Sequence, residues 1–308
     1  MLFRKIYIRL CNLLLHSLCR TYATLGRLIF LLKSEIFITS VYLERYPCCS
    51  RLVYNPIVSV EQTLLVLANG PSLMYDLEIL FKNNKYDLSD SIMMNYSATQ
   101  EMFYKIQPRY YALADPMFFK PDYRIEKVCN LFRCLDEKVD WDMTLVIPVS
   151  VKSFIEFSGI RNKHIKFQRV CTNVSSGATN LRFRDYMKGR AMPYLGTVAN
   201  LAVFVGIQLG YKRIELCGVD MSFFEGLCVN EKNETCTIEK HYYDSNVTMK
   251  PYIDPRTNRA MSLDNYIDMV LQMVRSHKEL AEYGASMGVS FLNRTANSML
   301  DCYDRMKL

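Results

Sequence analysis

From Thr63 onward, short apolar runs alternate with longer amphipathic stretches. "TLLVLANG" is a continuous apolar run that ends in a polar corner, and "YDLEILFKN" after it has helical spacing. "SIMMNYSA" (91 to 98) predicts a second strand and "YYALAD" (110 to 115) a third. "IEKVCNLFRCLDE" reads as an amphipathic helix, followed by strands at "MTLVIPVS" (143 to 150) and "HIKFQRV" (164 to 170). In "LGTVANLAVFVGIQLGYKRIELCGVDMS", Gly196-Thr197 opens a buried helix, Leu209-Gly210 closes it, and the next strand ends in Asp220. Residues 222 to 262 carry neither period and read as an irregular insertion. A helix from about Leu263 to Met287, the strand "VSFLNRT" and a short helix at "NSMLDCYDRM" complete the pattern.

Short apolar strands separated by helices of ten or more residues predict an α/β domain with a mostly parallel sheet and helices on both faces. Ligands of such sheets bind outside the carboxyl ends of the strands. No repeat or low-complexity linker divides residues 61 to 308, so they are expected to form one Rossmann-like catalytic domain, with the insertion at about 222 to 262 as a lid.

Residues 1 to 60 follow a different pattern. The longest stretch near the N-terminus without Lys or Arg is Leu10 to Cys19, shorter than the roughly 18 residues of a membrane span. Basic residues recur through the apolar region, which also argues against a cleaved signal peptide. On a helical wheel Lys5, Arg9, His16, Arg20 and Arg27 fall within a sector of roughly 60°. A narrow basic stripe on an apolar helix suits a bilayer interface, each cation among anionic head groups contributing about 1 kcal/mol. Packing on the domain or on a partner chain is the plainer alternative.

Composition sharpens this picture. The chain has 308 residues, half of them apolar and 22% charged, which excludes disordered and fibrous classes. Its net charge is +7, and residues 1 to 34 hold six Lys or Arg and no acidic residue, so most of the excess belongs to the N-terminus rather than to a nucleic-acid surface. The eleven cysteines include no C-x-x-C pair and read as reduced thiols of a cytosolic protein.

The candidate chemistry lies at strand ends. Asn69-Gly70-Pro71-Ser72, Asn95 and Asp115 follow the first three apolar runs directly. Gly70 permits close backbone approach, Pro71 suits a first helical turn, and Ser72 can bond free helix N–H groups, leaving a helix N-terminus that attracts phosphate. An ordinary strand-to-helix turn uses the same residues. Asp115 and Asp220 are equally suited to capping helices. No Walker loop, G-x-G-x-x-G, H-E-x-x-H, G-x-S-x-G or clear D-x-D occurs, and no metal or other cofactor is expected. His277 reads as solvent-facing. His241 stands apart because it lies inside the insertion and is followed by Tyr242, Tyr243 and Asp244, suiting it to act as a general base beside phenols that can donate to a phosphate.

"ANGPSL", "MMNYSA", "GTVANLAVFVGIQLGYKRIELCGVDMSFF", "HYYD" and "FLNRTANSML" occur in the order and spacing of a known group. Over about Thr63 to Leu300 the chain resembles the bacterial sialyltransferases of glycosyltransferase family 42. It is also similar to that fold's wider relatives, the 6-hydroxymethylpterin diphosphokinase-like proteins and the motility-associated nonulosonate transferases. The resemblance implies a variant Rossmann fold and an inverting, metal-independent transfer from a CMP-activated acidic sugar to an acceptor hydroxyl. It implies that Asn69, with Gly70, Pro71 and Ser72, lies near the donor phosphate and ribose, that Asn95 contacts the nucleotide, and that His241 is the base. Tyr242 or Tyr243 would then serve the phosphate, Asn297 and Ser298 would lie near cytidine, and Gly196 and Thr197 would border the nucleotide. Asp115 stands where the family has Asn, and Met221, Ser222, Phe223 and Phe224 stand where it has a Tyr pair. Asp115 and Asp220 are therefore expected to face the donor sugar or the acceptor.

The expected setting is the cytoplasmic face of the inner membrane, with a glycan or lipid-linked acceptor as partner, residues 1 to 34 at the membrane surface, and no nucleic acid. A homo-oligomer is compatible with the sequence. Two other readings stay open: pyrophosphoryl transfer to a pterin alcohol, which needs carboxylates for Mg²⁺, and a non-catalytic nucleotide-sugar binding protein.

Overall fold

The computed structural model describes residues 63–82, 87–120, 125–151, 154–238, 240–244, 248–254 and 257–305. The basic segment anticipated within 1–60 lies outside the described residues. The strands are β1 (Thr63–Leu67), β2 (Ser91–Met94), β3 (Tyr110–Ala112), β4 (Met143–Pro148), β5 (Ile165–Val170) and β6 (Arg213–Cys217), then β7 (Cys228–Val229), β8 (Thr235–Thr237), β9 (Lys250–Pro251), β10 (Ile253–Asp254), β11 (Arg259–Ala260), β12 (Ser290–Asn293) and β13 (Asp304–Arg305).

Eight of them form one sheet in the order β13-β12-β6-β1-β2-β3-β4-β5, and all its pairings are parallel. The chain runs outward from β1 to β5, returns to place β6 on the other side of β1, and continues outward through β12 and β13. The order therefore reverses beside β1, and the crevice at the carboxyl ends of β1 and β6 is the topological switch point.

Strand periodicity explains why both faces are covered. Leu64 and Val66 of β1 point into one core layer with Ile92, Met94 and Ala112, beneath the helices Val198–Leu209 and Leu263–Ser286. Leu65 and Leu67 point the other way, joining Met93, Tyr111 and Leu145 beneath the helices Leu73–Lys82 and Glu126–Lys138. The helix Val198–Leu209 is buried along nearly its whole length, as its apolar sequence requires. Thr197 caps it by accepting from Asn200 N–H, the Asn200 side chain accepts in return from Thr197 N–H, and Gly210 at φ 91° ends it.

The structure departs from the sequence pattern in three places. The described residues within 222–262 are not irregular: β7, β8 and β9 form a three-stranded antiparallel sheet, and β10 and β11 a hairpin. Strands of two or three residues are too short to display a period. The predicted C-terminal helix is instead a turn followed by β13, because Arg305 donates to the carbonyls of Ser298 and Leu300 that a helix would have used, and Asn297 is left-handed at φ 58°. His277 is fully buried rather than solvent-facing, with Nδ1 3.0 Å from the Tyr303 hydroxyl, because the C-terminal segment covers that side of the long helix. All described cysteines are free. No helix among the described residues is long and apolar enough to cross a membrane.

Candidate functional site

A cleft of about 370 Å³ opens at the switch point. Asn69, Gly70 and Pro71 after β1, Asn95 after β2, Asp115 after β3, Asp220 after β6 and Thr197 at its helix cap all line it, and the insertion adds His241 and Tyr243. Residues remote in sequence thus meet because parallel strands end on one edge of the sheet.

The Asn69–Ser72 corner is built around a carboxylate. A Cβ on Gly70 would lie 1.8 Å from Asp220 Oδ2 and 2.5 Å from the Gly218 carbonyl, so only glycine fits. The Gly70 amide donates to that same carbonyl at 2.8 Å, closing β1 against β6. Ser72 does not use its hydroxyl to cap the helix Leu73–Lys82, as expected from sequence. It donates instead to Asp220 Oδ2 at 3.0 Å and to Asp76 Oδ2 at 3.3 Å. Asp76 in turn accepts from the amides of Gly218 at 2.8 Å and Ala296 at 3.3 Å, pinning the loops after β6 and β12. Burial raises both carboxyls, Asp220 to about 6, where the charge of Asp76 adds to the rise and the Ser72 hydrogen bond opposes it.

Asn69 is buried and largely committed to the fold: Nδ2 donates to the Met94 carbonyl at 3.1 Å, and Oδ1 accepts from Ser97 at 2.8 Å. Asn95, left-handed at φ 53°, ends β2 at Met94, four residues before the expected boundary of that strand, and turns the chain into a 3₁₀ helix. Its Oδ1 is buried without a hydrogen-bond partner among the described residues, which leaves an acceptor for a ligand. Asp115 is exposed at the rim, caps the 3₁₀ turn Pro116–Phe119, and accepts from the Met117 amide at 3.0 Å.

The insertion adds a further wall to the cleft. The Tyr242 amide donates to the Asn69 carbonyl at 3.1 Å, joining the insertion to the corner. His241 is half-buried, with Nδ1 2.8 Å from Asp244 Oδ2, and that oxygen also accepts from the His241 amide at 3.0 Å. Tyr243 lies flat against the imidazole, ring centroids 5.1 Å apart and planes 4° apart. A carboxylate on Nδ1 selects the tautomer with its proton there and leaves Nε2 to accept one.

Five predicted residues do not line this cleft, the first being Ser72, whose hydroxyl is held by Asp220 and Asp76. Tyr242 sends its ring into the core layer beneath, its hydroxyl buried beside Ser97, so it is a packing residue and burial raises its pKa. Gly196 lies against Met273, where a Cβ would come within 2.5 Å. Asn297 borders a second hollow, which Pro71, Asp220 and Met299 also line. Ser298 is buried, accepting from Asn293 and donating to the Val219 carbonyl at 2.7 Å, which makes it a support of the loop after β6.

The sequence pattern assigns no role to three further contributors, Asp244, Lys127 and Tyr96. Asp244 was available from its i, i+3 spacing to His241. Lys127, in the first turn of the helix Glu126–Lys138, gave no local signal: its Nζ lies 4.2 Å from the Tyr96 ring centroid and 5.3 Å from that of Tyr243, and these rings meet edge to face at 6.5 Å. Burial, and then the Asp115 charge, push the Tyr96 phenol up to about 12, and burial also raises Tyr243. Among the described residues no group of three His, Cys, Asp or Glu side chains is placed to share a metal ion. No protein-family model matches this chain, and no curated protein matches it.

Proposed function

We propose that the chain is an inverting, metal-independent glycosyltransferase. It moves a sugar, an acidic one such as a nonulosonate, from a CMP-activated donor to an acceptor hydroxyl in surface polysaccharide or glycolipid synthesis. The observation that carries this reading is the His241–Asp244 pair facing a cleft at the switch point of a parallel sheet.

In the reaction, His241 Nε2 takes the proton of the acceptor alcohol as its oxygen bonds to the anomeric carbon. The bond from that carbon to the phosphate oxygen breaks, and the electron pair leaves with CMP. Attack opposite the leaving group inverts the configuration. Asp244 holds the imidazole and offsets the charge it gains. Asn95 Oδ1 accepts from the nucleotide, and Asp115 at the rim accepts from a hydroxyl of the donor sugar or acceptor. The basic, apolar segment of residues 1–34 keeps the enzyme peripheral to the cytoplasmic membrane face beside a lipid-linked acceptor, so its deletion should leave the chain in the soluble fraction.

The test is a nucleotide panel with and without EDTA, read by thermal stability and by donor hydrolysis. Stabilisation by CMP in the presence of EDTA supports the reading. Binding of Mg-ATP alone would replace it with pyrophosphoryl transfer, and CMP-sugar binding without turnover on any acceptor would leave a binding protein.

A further inference from the structure

We propose that Lys127 is the cation that holds the phosphate of the bound nucleotide. This rests on the nucleotide-dependent reading above and narrows it to one contact. The place where a strand-to-helix turn ordinarily receives a phosphate is filled here: Asp220 Oδ2 occupies the space beside Gly70, 1.8 Å from where a Cβ would be, and accepts from Ser72. Asp76 shares that hydroxyl at 3.3 Å. A phosphate brought to this corner would meet two carboxylates, so its charge belongs elsewhere in the cleft.

Two lysines line the cleft, Lys127 and Lys240. Lys240 is committed to Glu225. No carboxylate among the described residues lies within ion-pair distance of Lys127; the faces of Tyr96 and Tyr243 hold it instead. Aromatic faces position an ammonium group without neutralising its charge, which leaves that charge for an anion. Tyr243 also stacks on His241, so one ring contacts both the phosphate-binding cation and the imidazole.

Calorimetric titration of the full chain with each nucleoside and its monophosphate separates this contact from the rest of the site. The wild type is expected to prefer CMP to cytidine. Lys127→Gln should reduce CMP affinity by about tenfold or more, the order expected for a charge-assisted contact, and leave cytidine affinity unchanged. Lys127→Arg should restore most of the preference. An unchanged ratio of CMP to cytidine affinity in Lys127→Gln overturns the assignment, as does an equal loss for both ligands. If the wild type prefers a different base, the CMP donor is wrong while Lys127 is tested on that nucleoside pair; if no nucleotide binds, both proposals fall.

Discussion

His241 Nδ1 lies 2.8 Å from Asp244 Oδ2, and the same oxygen receives the His241 backbone amide. One carboxylate thus sets both the tautomer of the ring and the backbone that carries it. His241→Ala is expected to lower kcat by about 10²–10⁴-fold, the usual contribution of a positioned general base. Asp244→Asn should also lower kcat, since an amide does not select the same tautomer. CMP affinity should be unchanged in both variants, and single-turnover transfer with parallel CMP titration checks each. Retained turnover in His241→Ala would remove this histidine from the mechanism.

Gly70 is held to glycine by two neighbours of different kinds. Gly70→Ala should destabilise the fold by about 1–3 kcal/mol, as overpacking does, read as a lower urea midpoint with an unchanged slope. Adding Asp220→Ala removes the nearer obstacle, but the Gly218 carbonyl 2.5 Å from the new Cβ remains. The double variant should therefore unfold more easily than Asp220→Ala alone. Equal midpoints would show that the backbone can move aside.

Asp220 gives stability a specific pH dependence. Burial holds its carboxyl at about 6 against an ordinary 3.8, so the folded chain binds this proton more tightly than the unfolded chain does. The stabilisation is complete below about pH 4 and is lost as pH rises through about 6. Asp220→Asn carries no charge to bury, so its melting temperature relative to wild type should rise between pH 4 and pH 8. A constant difference across that span would count against the shift.

His277 has the opposite sign. Burial lowers its pKa from 6.5 to about 3, so the folded chain refuses a proton that the unfolded chain accepts. Its contribution is complete above pH 6.5 and is lost as pH falls towards about 3. His277→Gln, which does not titrate, should be less stable near neutrality yet lose stability less steeply on acidification. Parallel acid-limb slopes for the two proteins would contradict this.

Much of this was legible in the residues themselves. The apolar runs that became β1 to β6 and β12 were visible because strands buried on both faces have little freedom in composition. The polar residues after them marked the sheet edge where the cleft lies. The antiparallel sheet within 222–262 was not legible, because its strands are shorter than any period they could show. Lys127 was not legible either, since the rings that hold it belong to residues 31 and 116 positions away.

The sequence by itself determined the α/β class, the polar strand ends and the His-Tyr-Tyr-Asp run, because each is a local pattern of residue types. Only the tertiary structure decided that β6 returns beside β1, and that return is what brings Asp220 onto Gly70. It also decided that Tyr243 faces the cleft while Tyr242 faces the core, and that Asp220 and Asp76 fill the corner best suited by sequence to a phosphate. These are consequences of pairing between distant segments: hydrogen bonds across the sheet set which strand ends are neighbours, and packing then leaves each side chain one place to go.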